Sequence, residues 1–246
     1  MTKHLAPDPE ENLGETGEAA LTIPALVAAV TLAAADGWPV AALNPEAGNH
    51  DVTLDPLELA AALRAGQSSW RRFPYYEQRY AGRGRRFTRS DSAWIVTVGK
   101  EPLVSAKRQL RWLGALLAAR GMPRWLLELH LGALHAELIE AVPGNHAAYA
   151  HLLDVAEMLR RERLRHLDTA TSIKLALAFD RLVAPNATPS LPEAGALLVA
   201  AVADERAGLE GGVDSLMEWL ADPDRFSPTW AAAATETVSA ARDVAR

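Results

Sequence analysis

Apolar residues recur at spacings of three and four along most of the chain, which is the period of amphipathic α-helices. The clearest helix is predicted between Pro102 and Arg120, where five apolar residues form one stripe. These are Leu103, Ala106, Leu110, Leu113 and Leu117. Gly121 is expected to end this helix and Pro123 to begin the next. So short a joint predicts an αα-hairpin or a sharp helical corner.

Proline and glycine punctuation predicts further helices on both sides of this pair. One is expected to begin at Thr22, and another over 56–65, capped by Asp55 and ended by Gly66. Helices are also predicted at 146–166 and 171–184, near Trp219 and from Pro228 onward. The prediction is an all-α fold, a single multi-helix domain of about eight helices with orthogonal or bundle-like packing. A globin-like arrangement is one form that this packing could take.

Three segments are expected along the chain. Residues 1–20 read as a flexible acidic N-terminal tail, and residues 21–184 as the main all-α domain. The Pro-rich connection from Pro185 to Pro192 marks the start of a C-terminal helical extension, 185–246. That extension is short and rich in alanine, so we expect it to pack on the main domain rather than fold alone.

Composition limits the compartment and the chemistry. The chain contains no cysteine, which excludes disulfides, thiolate metal sites and cysteine nucleophiles. Its first residues lack the apolar segment of a secretory signal, and its longest apolar stretch, Ala25 to Ala35, is too short to span a membrane. We therefore expect a cytoplasmic protein with no membrane partner.

The strongest local deviation from the average composition is residues 71–89, RRFPYYEQRYAGRGRRFTR, which we call the Arg/Tyr segment. It holds seven of the 25 Lys and Arg residues, three of the four Tyr and two of the four Phe. Seven arginines and Glu77 give it a charge of +6, so the rest of a chain with net charge −6 sums to −12. Pro74 is expected to begin a short helix here. Gly82 and Gly84 are expected to end it and leave the following arginines in a loop.

Arginines beside tyrosines can bind phosphate or carboxylate groups through forked hydrogen bonds. The candidate ligand-binding residues are Tyr75, Tyr76, Arg79, Tyr80, Arg83, Arg85 and Arg86. The arginines would neutralise an anion while the tyrosines orient it. The competing interpretation is that the arginines neutralise acidic neighbours and the tyrosines cover the core. Ser90 and Asp91, just beyond, are interpreted as helix caps, and Trp94 as part of the helix that follows.

Other chemistries receive less support from the residues. The acidic remainder of the chain makes nucleic acid an unlikely partner, and a second basic run, Arg160 to Arg165, is typical of a helix C-terminus. His130 and His135 lie five positions apart, as do His146 and His151, which places the members of each pair on different helix faces, so His130 is only a weak metal candidate. The sequence requires no cofactor. A non-covalently bound tetrapyrrole is compatible with arginines and tyrosines that hold propionates.

The leading hypothesis is a ligand-binding or sensory helical protein that recognises a small anionic ligand, or an acidic group on a partner protein, through the Arg/Tyr segment. The alternative is a non-enzymatic interaction or scaffold protein that forms a homo-oligomer through apolar helices. An enzyme is the third choice, because the chain contains none of the nucleophile-elbow, P-loop or zinc-protease motifs.

Overall fold

The computed structural model describes residues 21–183 and 191–246, which form one compact domain of ten α-helices without a strand. The helices are α1 (Ile23–Ala35), α2 (Pro56–Arg72), α3 (Pro74–Gly99), α4 (Leu103–Ala119), α5 (Arg124–Ala141), α6 (Ala150–Leu164), α7 (Thr169–Val183), α8 (Ala194–Arg206), α9 (Gly212–Leu220) and α10 (Pro228–Val244). The predicted all-α single domain is confirmed, with ten helices in place of about eight. The predicted tail, 1–20, and the predicted boundary at 185 lie outside the described residues. None of the described helices is long and apolar enough to cross a membrane.

Helix α5 lies at the centre of the first half of the domain, packed against α2 and α6. Its leucines recur at spacings of three and four, and Leu131, Leu134 and Leu138 are completely buried. The C-terminal helices α8 and α10 pack on α7, around an aromatic cluster that includes Phe179 and Trp230. Helix α8 also contacts α5 and α6.

A buried ion-pair cluster joins these two parts. Helix α5 begins after Pro123, whose side chain cannot accept a hydrogen bond from the first turn. Asp204 of α8 takes that role, because its carboxylate accepts hydrogen bonds from the backbone N–H of Arg124 at 2.7 Å and from its Nε at 2.8 Å. Glu162 of α6 accepts a third bond from Arg124, at 2.8 Å. One arginine therefore ties three helices together.

Helix α2 does not end at Gly66, as the sequence predicts, but continues to Arg72. Gly66 is buried where α2 meets α3, and a Cβ atom there would lie 3.0 Å from Cγ2 of Thr88. The glycine therefore permits close approach of two helices rather than ending one. Buried apolar residues on both sides of it, Leu63 and Trp70, supply the packing that continues the helix.

The predicted loop at Gly82 and Gly84 is also wrong. The break in α3 lies one residue earlier, at Ala81, whose backbone dihedrals are φ 44° and ψ −141°. Gly84 is helical and packs tightly, since a Cβ there would lie 3.2 Å from the Trp70 ring. A close contact again explains the glycine, and the arginines that follow it lie on a helix.

The second part of α3 contains the residues that the sequence interprets as caps. Ser90 and Asp91 lie in the middle of this helix, not at its start, because the break at Ala81 comes nine residues earlier than Ser90. The assignment of Trp94 to a helix is confirmed.

Candidate functional site

A cavity of about 610 Å³ lies between α2, α3, α4 and α5. A volume of this size is typical of sites that enclose a small organic molecule. Most of its wall is apolar or aromatic, made by Trp70, Phe87, Ile95, Leu113, Leu117, Met122, Pro123, Leu126 and Leu127. Three exposed charged residues that also line it, Glu46, Arg83 and Arg120, mark its rim.

Three of the seven candidate residues of the Arg/Tyr segment line this cavity: Tyr76, Tyr80 and Arg83. The Tyr76 ring stacks on Trp70 with 5.6 Å between centroids, and burial raises the pKa of its hydroxyl, which stays neutral. The Tyr80 hydroxyl donates a hydrogen bond to the backbone carbonyl of Arg120 at 2.8 Å. Arg83 reaches Glu46 across the rim at 2.8 Å.

Tyr75 and Arg79 belong to the packing around the cavity and do not line it. Tyr75 is completely buried, and its hydroxyl donates to the carbonyl of Gly121. Arg79 donates to the Tyr75 hydroxyl at 2.6 Å and to the backbone carbonyl of Ser215 at 2.7 Å. These bonds hold the first part of α3 against the α4–α5 joint and α9. The buried position of Tyr75 is what the competing interpretation expects, whereas Arg79 bonds neutral groups and not an acidic neighbour.

Arg85 and Arg86 lie on the other side of Trp70, along an outer groove of about 480 Å³. The Arg85 guanidinium lies 4.6 Å from the centre of the indole ring and forms an ion pair with Glu77 at 2.5 Å. Arg86 pairs with Glu46 at 2.9 Å. Trp70 and Thr88 line both spaces, so these two side chains lie between the cavity and the groove.

His130 lies in the inner wall of the cavity between two serines. Its Nδ1 is 2.9 Å from the Ser69 hydroxyl, and its Nε2 is 3.0 Å from the Ser92 hydroxyl. Burial lowers its pKa to about 4, so the ring is neutral at pH 7, with one nitrogen donating and the other accepting. Both nitrogens are thus occupied. No three histidine, aspartate or glutamate side chains of residues 21–183 and 191–246 come together as a metal site.

Asp91 lies in the same wall, with a carboxyl group that has few hydrogen-bond partners. Its one hydrogen bond to a described residue is long, 3.5 Å from the Ser90 hydroxyl. Burial raises its pKa to about 7, an effect that the Ser90 hydroxyl and the charge of Arg120 partly oppose. A carboxyl group in this state can donate a hydrogen bond or carry a negative charge near neutral pH.

Asp91 was interpreted from the sequence chiefly as a helix cap, and Arg120 was not among the candidate residues. A signal was present for Asp91, since Gly84, Phe87, Asp91 and Ile95 follow helical spacing along one face of α3. A carboxylate in such an apolar row indicates either a buried partner or a site. Arg120 gave no signal, because an arginine at a helix C-terminus is ordinary.

Two neighbouring carboxylates, Glu157 and Glu128, pair with three of the four arginines of the second basic run. Arg160 and Arg161 pair with Glu157, and Arg163 pairs with Glu128 at 3.0 Å. This run therefore offers less free positive charge than its sequence indicates.

The cavity, with one charged rim and a polar inner wall, is the arrangement of the described residues best suited to hold a ligand. The sequence matches no known protein-family model, and comparison with curated proteins and with solved structures found no match either.

Proposed function

We propose that the protein binds a small, mainly apolar organic molecule that carries an acidic group, and that it does so without chemical conversion. The observation that carries this proposal is the cavity of about 610 Å³, which brings Tyr76, Tyr80 and Arg83 of the Arg/Tyr segment together with Arg120. The apolar body of the ligand would lie against the leucine-rich wall. Its acidic group would lie at the rim, where two guanidinium groups offer positive charge.

Arg120 is the better placed of the two rim arginines for an anion. The side chain of Arg83 already pairs with Glu46. The guanidinium of Arg120 has no hydrogen bond or ion pair with any residue of the described ranges. A ligand carboxylate or phosphate would give it a partner.

Binding is favoured over catalysis by the state of His130. An imidazole with a pKa of about 4 is a weak base at pH 7, and no carboxylate bonds to either nitrogen to stabilise its protonated form. The histidine and its two serines therefore serve better as neutral hydrogen-bonding partners than as a nucleophilic system.

Native mass spectrometry of the purified protein tests the proposal. We expect a non-covalent mass increment that disappears on denaturation, or, for a protein purified empty, an increment regained from a cell extract of small molecules. Leu117→Trp should reduce that increment strongly, because the larger ring would occupy part of the cavity. Val104→Trp, on an exposed position of the same helix, is the matched control and should leave binding unchanged.

The same measurement tests whether Arg120 at the rim of the cavity binds the acidic group of the ligand. Arg120→Gln should weaken binding of an acidic ligand by about tenfold or more, since a charged hydrogen bond is lost. Arg108→Gln, exposed on the same helix, controls for the change in net charge. Equal binding by both variants would exclude Arg120 from the site.

Self-association is the second candidate function, and α7 is the observation that favours it. Ile173 and Leu177 lie one helical turn apart and are 55% and 53% exposed. Such a row could pack against a second copy of the chain. Analytical ultracentrifugation should then show a dimer that Ile173→Lys with Leu177→Lys converts to a monomer. A wild-type monomer at high concentration would exclude this function.

A further inference from the structure

Asp91 and Arg120 are two charged side chains that line one cavity and lack a strong partner in the described structure. Asp91 has only the 3.5 Å bond from Ser90, and the Arg120 guanidinium has no bond at all to a described residue. Most other charged groups near the cavity are satisfied, as the Arg83 pair with Glu46 shows. A carboxyl group and a guanidinium group that both lack a strong partner among the described residues therefore line the same cavity.

The two side chains do not satisfy each other. They form no ion pair, which places their charged atoms more than 4.0 Å apart. They are nevertheless close enough to interact, because the positive charge of Arg120 lowers the pKa of Asp91. Both side chains line the same cavity, so one small molecule inside it could contact both.

Above its pKa of about 7 the carboxyl group of Asp91 is mostly ionised, and a ligand with a single charge would then satisfy only one of the two groups. A simple carboxylic acid would pair with Arg120 but leave Asp91 facing a second negative group. A simple amine would pair with Asp91 and add a second positive group beside Arg120. Only a molecule with both charges gives each side chain an opposite partner, and uncompensated charge in an enclosed site is costly.

On the basis of the proposed function, we infer that the ligand is zwitterionic and resembles an amino acid with a bulky apolar side chain. Its ammonium group pairs with Asp91 and its carboxylate with Arg120. Its side chain lies among Trp70, Leu117 and Leu127 in the apolar part of the cavity. The neutral hydroxyl groups of Ser69 and Ser92, held by His130, are available to further polar atoms.

Three molecules that contain the same indole ring but carry different charges serve as probes. L-tryptophan carries both charges, indole-3-propionate only the negative one and tryptamine only the positive one. Isothermal titration of the full chain at pH 7.5 should show that L-tryptophan binds about tenfold or more tightly than either of the others. This difference in affinity measures what the second ion pair adds, since the other two molecules can each form only one.

Two variants assign each charge to its partner. Asp91→Asn should weaken the binding of L-tryptophan to the affinity of indole-3-propionate. The affinity for indole-3-propionate itself should stay unchanged or increase. Arg120→Gln should weaken the binding of L-tryptophan to the affinity of tryptamine. Arg108→Gln is the control, and circular dichroism with thermal unfolding of each variant verifies that the fold is intact.

The outcomes separate this inference from the function on which it rests. If indole-3-propionate binds as tightly as L-tryptophan, the zwitterion inference is overturned while binding of an acidic ligand stands. Tightest binding of tryptamine would overturn both the zwitterion and the acidic ligand. If none of the three binds at millimolar concentration, the inference is overturned, and a mass increment in the native spectrum would still support a ligand in the cavity.

Discussion

Two enclosed aspartates, Asp204 and Asp91, differ in what surrounds them. Burial raises the pKa of both. Asp204 accepts two hydrogen bonds shorter than 3 Å from Arg124 and is closed off from solvent. Asp91 has one bond of 3.5 Å and faces a cavity. Asp204 therefore serves to hold the helices together, whereas the carboxyl group of Asp91 is left open to the cavity.

The largest expected effect comes from breaking the complete pair. Asp204→Ala removes both the cap of α5 and the partner of buried Arg124, so we expect the free energy of unfolding to fall by about 3–5 kcal/mol. Urea denaturation followed by circular dichroism measures it. Glu205→Ala, which removes an exposed ion pair with Arg242, should cost only about 0–1 kcal/mol. Similar losses in the two variants would contradict the structural role of Asp204.

Replacing Asp91, whose carboxyl group has only one long hydrogen bond, should raise the free energy of unfolding instead of lowering it. The pKa of Asp91 is about 7 when folded and 3.8 otherwise, so the folded protein binds more protons between these values and loses stability as pH rises through them. Asp91→Asn removes this loss. Its advantage over the wild type should grow by about 2 kcal/mol between pH 5.5 and pH 8.5.

Urea denaturation of both proteins at the two pH values measures this change, and the contributions of other groups cancel in the difference. An advantage that stays constant with pH would show that Asp91 is solvated like a surface carboxylate.

His130 should show a smaller effect in the acidic range. Its pKa is about 4 when folded and 6.5 otherwise, so the unfolded chain takes up a proton first and stability falls as pH decreases from 6.5 towards 4. The wild type should lose about 1 kcal/mol more than His130→Gln between pH 7 and pH 5.5. Parallel pH profiles of the two proteins would mean that the ring is accessible to water in the folded state.

The smallest expected effect concerns the break in α3 beside the cavity. Ala81 has a positive φ, a conformation that L-residues other than glycine adopt at a cost. Ala81→Gly should therefore raise the free energy of unfolding, by about 1 kcal/mol or less, because greater freedom of the unfolded chain offsets part of the gain. Ala136→Gly, exposed inside α5, should instead lower it by about 1 kcal/mol. Thermal unfolding of the two variants distinguishes these signs.

Sequence patterns were sufficient for elements whose stability comes from local periodicity. Helices α4 and α5 and their sharp joint follow from regular leucines with a glycine and a proline between them. The glycines of α2 and α3 were misinterpreted, because Gly66 and Gly84 serve contacts between helices that only the packed structure contains. Local propensity and tertiary packing favoured different conformations there, and packing decided.

The candidate site was only partly accessible from sequence for a related reason. The composition of the Arg/Tyr segment drew attention to this stretch of chain, and three of its seven candidate residues, Tyr76, Tyr80 and Arg83, line the cavity. The sequence could not show that Tyr75 and Arg79 turn into the core, nor that Arg120, just beyond the end of α4, lines the same cavity as Asp91 of α3. These arrangements depend on how helices cross and on the turn that Ala81 introduces.

The position of Trp70 has one more consequence. Its indole ring has the cavity on one side and the Arg85 guanidinium of the outer groove on the other. Trp70 and Thr88 are the two described residues that line both spaces. Trp70→Gly would therefore remove the larger of the two side chains between the cavity and the arginine-lined groove, leaving Thr88 alone between them.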